Sequence, residues 1–263
     1  MATTATDRKL VNVERRGRTV VITLNRPEAR NAINGALASA IDAALTAFEA
    51  DDELWTAVLT HEGPTFSAGA DLKEVASGNG GSGMSIEGAG FAGVCRRERV
   101  KPLIAAVDGT ALGGGLEICL ACDLIVASKS SSFGLPEVKR SLLAGAGGLV
   151  RLPRALPRKI AMEMILTGDP IDAEGAFSYG LVNRLAPEGE VVQAALELAE
   201  RINANAPLAV RASRKVAHEA PEQSEDEGFA ASIREMSPIF GSDDFREGPK
   251  AFVEKRPPVW KGR

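Results

Sequence analysis

Short apolar strands that recur between glycine loops and helices constrain this chain more than any other feature. Residues 57–59, 103–107 and 124–127 are runs of small or branched apolar side chains, each followed by a glycine-containing loop or a helix. Uninterrupted apolar runs of this length fit strands buried on both faces. Their alternation with helices predicts an α/β domain. Ahead of them, residues 10–13 and 19–24 flank Arg16-Gly17 and read as a hairpin, broken afterwards by Asn25-Arg26-Pro27-Glu28. Asn34 then caps a helix whose apolar face is Leu37, Ile41, Leu45 and Phe48.

From about Pro157 the pattern turns helical, over 157–167, 172–179, 188–203, 208–218, 222–236 and 243–255, with only 181–185 extended. Thr167-Gly168-Asp169-Pro170 and Asn205-Ala206-Pro207 are joints by their turn chemistry. Residues 77–83 are too rich in glycine to hold regular structure, and they read as a slack surface loop, or as a lid or the wall of a pocket.

With 263 residues the chain can bury a large core, and 44% apolar with 25% charged residues is the balance of a soluble globular protein. A net charge of −4 without a basic stripe argues against a nucleic-acid partner. No apolar run reaches the roughly 18 residues of a membrane span. The first nine residues lack the apolar stretch of a secretory signal. Three cysteines are too few for a disulfide framework, which fits a reducing cytoplasm.

Glu117 and Glu137 carry the chemistry. Glu117 lies in the helix-like run Ala111-Leu112-Gly113-Gly114-Gly115-Leu116-Glu117-Ile118-Cys119-Leu120, and Glu137 closes Phe133-Gly134-Leu135-Pro136-Glu137 in what reads as a loop. A carboxyl in apolar surroundings holds its proton, and a second carboxylate nearby strengthens that tendency. Two such groups can divide into an acid and a base near neutral pH. The glycine triplet at a helix start offers free amides to a developing oxyanion. A helix beginning near Gly114 would aim the Glu117 carboxylate into the space those amides serve. Taken singly, Glu117 can equally be a snorkelling or capping residue, and Glu137 a solvated loop charge.

Phe66-Ser67-Ala68-Gly69-Ala70-Asp71-Leu72 is either a tight turn or a place where backbone meets a ligand, and residues 143–148 offer a second such bend. The full G-x-G-x-x-G pattern is missing, which excludes a dinucleotide fingerprint. Cys119 and Cys122 read as core thiols, His61 as a surface residue after a strand, and Asp71 and Asp123 as turn residues rather than catalysts.

Together these segments resemble the crotonase (enoyl-CoA hydratase/isomerase) family across nearly the whole chain. The resemblance is carried by Leu24-Asn25-Arg26-Pro27, by Phe66 through Glu74, by Ala111 through Glu117 and by Phe133 through Glu137. It continues through Gly145-Ala146-Gly147-Gly148 and ends with Glu247 through Arg256. It implies an α/β fold, a spiral of ββα turns with a C-terminal helical trimerisation region. A tail would span 1–9, the core 10–200 and the helical region 201–263, in a homotrimer or homohexamer.

Carried over by position, the N–H groups of Ala70 and Gly114 form the oxyanion hole for a thioester carbonyl. Glu117 activates a water and Glu137 donates the proton, with Gly145 beside that water. Ala68, Ala70, Asp71, Leu72, Lys73 and Gly114 line the CoA site, which Phe252 and Lys255 reach, often from an adjoining subunit. The implied reaction is reversible hydration of 2-enoyl-CoA to 3-hydroxyacyl-CoA in the cytoplasm, without a metal and without a cofactor beyond the CoA of the substrate. Both carboxylates favour a hydratase over an isomerase, which works with one acid–base group at the position of Glu137. The stretches Pro136 through Arg140 and Arg151-Leu152-Pro153 also look like carnitinyl-CoA dehydratase-like members. A catalytically silent acyl-CoA-binding regulatory protein is the alternative from another class.

Overall fold

The computed structural model describes residues 9–79 and 82–263. The hairpin is present as β1 (Val11–Arg16) and β2 (Thr19–Leu24), followed by α1 (Gly35–Ala50), β3 (Thr56–His61) and β4 (Thr65–Ser67). A single helical turn, α2 (Leu72–Glu74), precedes the small hairpin β5 (Ser85–Ile86) and β6 (Gly90–Phe91). Then come β7 (Leu103–Val107), β8 (Thr110–Leu112), α3 (Gly114–Ala121), β9 (Leu124–Ser128) and β10 (Ser132–Gly134). The remainder is α4 (Gly148–Ala155), α5 (Arg158–Thr167), β11 (Ile171–Asp172), α6 (Ala173–Ser178), β12 (Arg184–Ala186), α7 (Val191–Asn203), α8 (Pro207–Glu219), α9 (Glu225–Met236) and α10 (Asp243–Glu254).

The strands divide between two principal sheets, ordered β1-β2-β3-β7-β9-β12 and β11-β10-β8-β4. Each turn of chain lays one strand in the larger sheet and the next in the smaller: β3 then β4, β7 then β8, β9 then β10. Pairing within the repeated positions is parallel in both sheets. This is the expected ββα spiral. The main core, built around Ile22, Phe48, Leu59, Phe66, Leu103 and Phe133, fills the space bounded by the two sheets and α1. The other face of the larger sheet is covered by α7, through Val191, Ala195 and Ala199 against Val21, Val58, Ile104 and Val126. Strands β3 and β7 are therefore buried on both faces, which is why their sequences show no polar alternation.

The turn between β7 and β8 leaves no room for a side chain. A β-carbon on Gly109, whose φ is +107°, would lie 2.9 Å from the carbonyl carbon of Pro64. Gly109→Ala is expected to lower stability by roughly 2–4 kcal/mol, combining backbone strain with overpacking. The midpoint of urea unfolding reads the loss.

Several local expectations need correction. Ala111 and Leu112 of the helix-like run belong instead to β8, while the helix does begin at Gly114 as expected. The bend over 143–148 runs into a helix, α4, that its Pro153 and two opening glycines concealed. The extended stretch is Arg184–Ala186, shorter and later than residues 181–185. In the glycine-rich segment, Val75–Asn79 forms one wide helical turn and Ser82–Met84 a tight one; its residues 80 and 81 lie outside the described residues, as does the tail over residues 1–8. A division after residue 200 would cut α7, whose Asn203 is tied to the core by bonds with Thr19 and Thr56. Among the described residues, no helix is long and apolar enough to cross a membrane.

Candidate active site

Three parallel strands deliver the segments singled out by sequence. Register in the smaller sheet sets Ser67 of β4 beside Ala111 of β8, and Ala111 and Leu112 beside Phe133 and Gly134 of β10. The carboxyl ends of β4, β8 and β10 therefore share one edge, and the chain leaves them as 68–70, 113–117 and 135–137. Loops at the carboxyl ends of parallel strands are where α/β folds place ligands.

Gly69 brings the first two segments into contact. Its φ is +87°, and a β-carbon there would lie 2.8 Å from the amide nitrogen of Gly114 and 2.9 Å from the Leu112 carbonyl oxygen. Ile33 N–H donates to Gly69 O and Asp71 N–H donates to Ile33 O. The alternation of an extended chain then turns the intervening Ala70 N–H away from Ile33. Gly114 is the first residue of α3, where an amide has no acceptor within the helix. The Ala70 and Gly114 amides thus lie outside these ladders, close to the Gly69–Gly114 contact.

Glu117 lies in the first turn of α3 with only 3% of its surface exposed. Its Oε1 accepts the Gly148 N–H at 2.9 Å. Burial pushes the carboxyl up from an ordinary 4.5 to about 7, opposed by the Gly148 amide, reinforced by the charge of Glu137, and opposed again by the Ala146 amide and Arg151. Glu137 sits not in an open loop but in the tight helical turn Pro136–Arg140. Its Oε1 faces Gly113, where a β-carbon would approach to 2.9 Å. Its Oε2 is buried with no hydrogen-bond partner among the described residues. Burial raises this carboxyl too, against its own amide and Arg140. A buried acceptor left unpaired costs roughly 1–3 kcal/mol, a cost that a bound donor such as water would remove.

A cavity of about 1010 Å³ opens beside these groups, walled by Ala70, Val75, Met84, Phe91, Cys95 and Gly145 among others. Neither carboxylate is on its wall. Phe91 covers Gly114, with Cε1 2.5 Å from where a β-carbon of that glycine would stand. Ala146, also on the wall, offers its amide to Glu117. Val75 and Met84, which line the pocket, lie just outside the two ends of the glycine-rich segment. Phe91 escaped the sequence reading. Its position inside Gly88 to Gly93, where Gly88, Gly90, Ala92 and Gly93 all have positive φ, is the signal that marks it.

The other predicted positions separate into groups. Ala68 and Lys73 are exposed beside the site, and Leu72 is 44% exposed. Asp71 caps α2 through the Lys73 N–H and pairs with Arg26 at 2.8 Å, so its carboxylate is engaged within the protein. Phe252, 85% exposed, and Lys255, in a left-handed conformation, close the far end of α10 and do not line the cavity of their own chain. His61 is the last residue of β3 rather than a surface residue. Its Nε2 accepts the Asp108 N–H at 3.0 Å, its ring meets the edge of Phe66, and burial holds its pKa below 6.5. Asp123 is locked between Arg99 and Arg214. Cys95 and Cys119 are buried and Cys122 half-buried, and burial raises all three thiols, Cys122 to about 12.

Known proteins share this architecture. The family model described as enoyl-CoA hydratase/isomerase matches residues 14–263. A carnitinyl-CoA dehydratase of Salmonella typhi is 40% identical over 259 residues, covering 96% of this chain and 98% of the relative. The crystal structure of an enoyl-CoA hydratase from Mycobacterium tuberculosis H37Rv superposes with a TM-score of 0.92 at 48% identity, covering 97% of this chain and 99% of that one. That of a carnitinyl-CoA hydratase from Mycobacterium avium gives 0.77 at 49% identity, covering 97% and 100%. The chain belongs to the enoyl-CoA hydratase/isomerase, or crotonase, family of enzymes.

Proposed function

We propose that this protein adds water reversibly across the 2,3 double bond of a 2-enoyl-CoA. The observation that carries the reading is a pair of carboxyls, Glu117 buried and Glu137 half-buried, both raised by burial, beside the close approach of Gly69 to the Gly114 amide. Glu117 takes a proton from water as the water oxygen bonds to C3. The double-bond electrons move toward the thioester oxygen, which the Ala70 and Gly114 amides hold as it gains charge. Glu137 delivers its proton to C2, and the carbonyl re-forms. Proton exchange through the new pair resets the two acids, and elimination is the same path reversed. No cofactor beyond the CoA of the substrate enters these steps. Loss of the ultraviolet absorbance of the enoyl thioester tests the reading; no change with any acyl chain would sink it.

The close carnitinyl-CoA relatives support a second reading, in which the same chemistry dehydrates a polar acyl-CoA. Product analysis with crotonyl-CoA and carnitinyl-CoA in parallel separates the two. We also propose a trimeric or hexameric assembly, in which Phe252 and Lys255 serve a neighbour's CoA site. The exposed apolar residues Phe229, Ile233, Phe252 and Val253 support it, and light scattering gives the mass.

The pH profile follows from the sign of the Glu117 shift. The base works ionised and Glu137 works protonated, so kcat/KM of the free enzyme should rise with pH toward about 7 rather than 4.5 and fall again where Glu137 loses its proton. A rate already level at pH 5 would remove Glu117 from this role.

A further inference from the structure

Resting on the hydratase reading, we propose that Arg151 is the positioning residue for Glu117, clamping the 144–148 turn so that the Gly148 amide stays on the carboxylate. Arg151 lies in the first turn of α4 and lines a second cavity, of about 1120 Å³, that shares Arg96, Gly145 and Ala146 with the first. Its Nη2 donates to the Cys95 carbonyl at 2.6 Å, and its Nη1 reaches the Ala146 carbonyl at 3.5 Å. The guanidinium is laid against Gly147. A β-carbon there would lie 3.2 Å from Cζ and overlap Nη1, and the φ of +121° marks the same position. One residue on, the Gly148 N–H donates to Glu117 Oε1 at 2.9 Å.

The clamp therefore ties three pieces of chain. The segment after β6 supplies the Cys95 carbonyl, the turn supplies Ala146 and Gly147, and α4 supplies the arginine. The buried Leu152 and Ala144 hold the helix start against the core, and the clamp adds a side-chain tie that crosses from this turn to the segment carrying Cys95. Arg151 is within ion-pair distance of no carboxylate among the described residues, and its hydrogen bonds go to the Cys95 and Ala146 carbonyls. The titratable groups facing Glu117 are Glu137, the Cys95 thiol and Arg151, and of these only Arg151 favours the ionised carboxylate. The arginine thus serves the base twice, by fixing its hydrogen-bond donor and by easing its ionisation. It touches no reacting atom.

The test compares Arg151→Met, Arg151→Lys and Gly147→Ala with wild type. Gly147→Ala displaces the guanidinium without removing it. The expected result for Arg151→Met and Gly147→Ala is a kcat about 10- to 100-fold lower with KM little changed, and a rising limb moved to higher pH by about one unit. Arg151→Lys keeps the charge and should keep the limb near its wild-type position. Infrared titration of the Glu117 carboxyl, isolated by difference against Glu117→Gln, reads the same shift without substrate. An unmoved carboxyl titration in any folded displaced or neutral variant would overturn the proposal. So would a loss confined to melting temperature or KM. Absence of hydration by wild type sinks the hydratase reading instead, and the infrared arm still decides the role of Arg151.

Discussion

Glu117→Gln is expected to lower kcat for enoyl-thioester hydration by about 10²–10⁴-fold, the usual contribution of one positioned acid–base group, while making the folded protein more stable at neutral pH. The amide of glutamine can still accept the Gly148 N–H, so the local geometry survives while the proton acceptor is lost. The stability gain follows from linkage. Below about pH 4.5 the carboxyl is protonated in both folded and unfolded chains. Between 4.5 and about 7 the unfolded chain ionises while the folded chain holds its proton, so wild-type stability falls as pH rises. Above 7 the full penalty of a buried carboxylate is present. Glutamine carries no such penalty, and the variant should gain about 1–3 kcal/mol at pH 8 and almost nothing at pH 4.5. Melting temperatures of both proteins across this range check the sign. A gap that does not widen with pH would mean that Glu117 is not held in its uncharged form, and the acid–base assignment would lose its physical basis.

The second large effect is expected at Gly114→Ala, with a loss of about 10²–10³-fold in kcat/KM, the typical cost of one oxyanion donor. The new β-carbon would meet Phe91 Cε1 at 2.5 Å and Cζ at 2.6 Å, and the Gly69 α-carbon at 3.3 Å. The aromatic ring can swing into the cavity, whereas the Gly69 backbone cannot yield without moving Ala70. Either response spoils the convergence of the two amides or fills the space for the acyl group. Combining Gly114→Ala with Phe91→Ala discriminates between these outcomes. Recovery of most of the activity would assign the loss to the displaced ring, and no recovery would assign it to the amides. Near wild-type activity in Gly114→Ala alone would remove that amide from the oxyanion hole.

Much of this site was legible in the chain because its parts are local. Gly113 to Glu117 carry their own geometry: a glycine cap, a free amide and a carboxylate one turn later lie within five residues. The twofold-buried strands betrayed themselves as unbroken apolar runs, and Asn34 announced α1 by accepting the Leu37 N–H as a cap should. The misreadings are equally physical. Helix α4 was hidden because Pro153 and two opening glycines oppose helix locally, while packing of the buried Leu152 overrides them. Phe91 and Arg151 look like an ordinary apolar residue and an ordinary surface cation until their partners, Gly114 and Cys95, are known.

What the amino-acid order determined by itself is the set of reactive pieces: which carboxyls sit in apolar context, which amides are freed by glycine, and which strands are too apolar to face water. These are short-range properties, set by side chains within a few residues of one another. Only the tertiary structure decided that the pieces meet. Segments spread from residue 68 to residue 137 end on one edge because β4, β8 and β10 are parallel neighbours in register. The raised carboxyls have the same origin, since burial where these segments pack together withholds the water that would stabilise their charge.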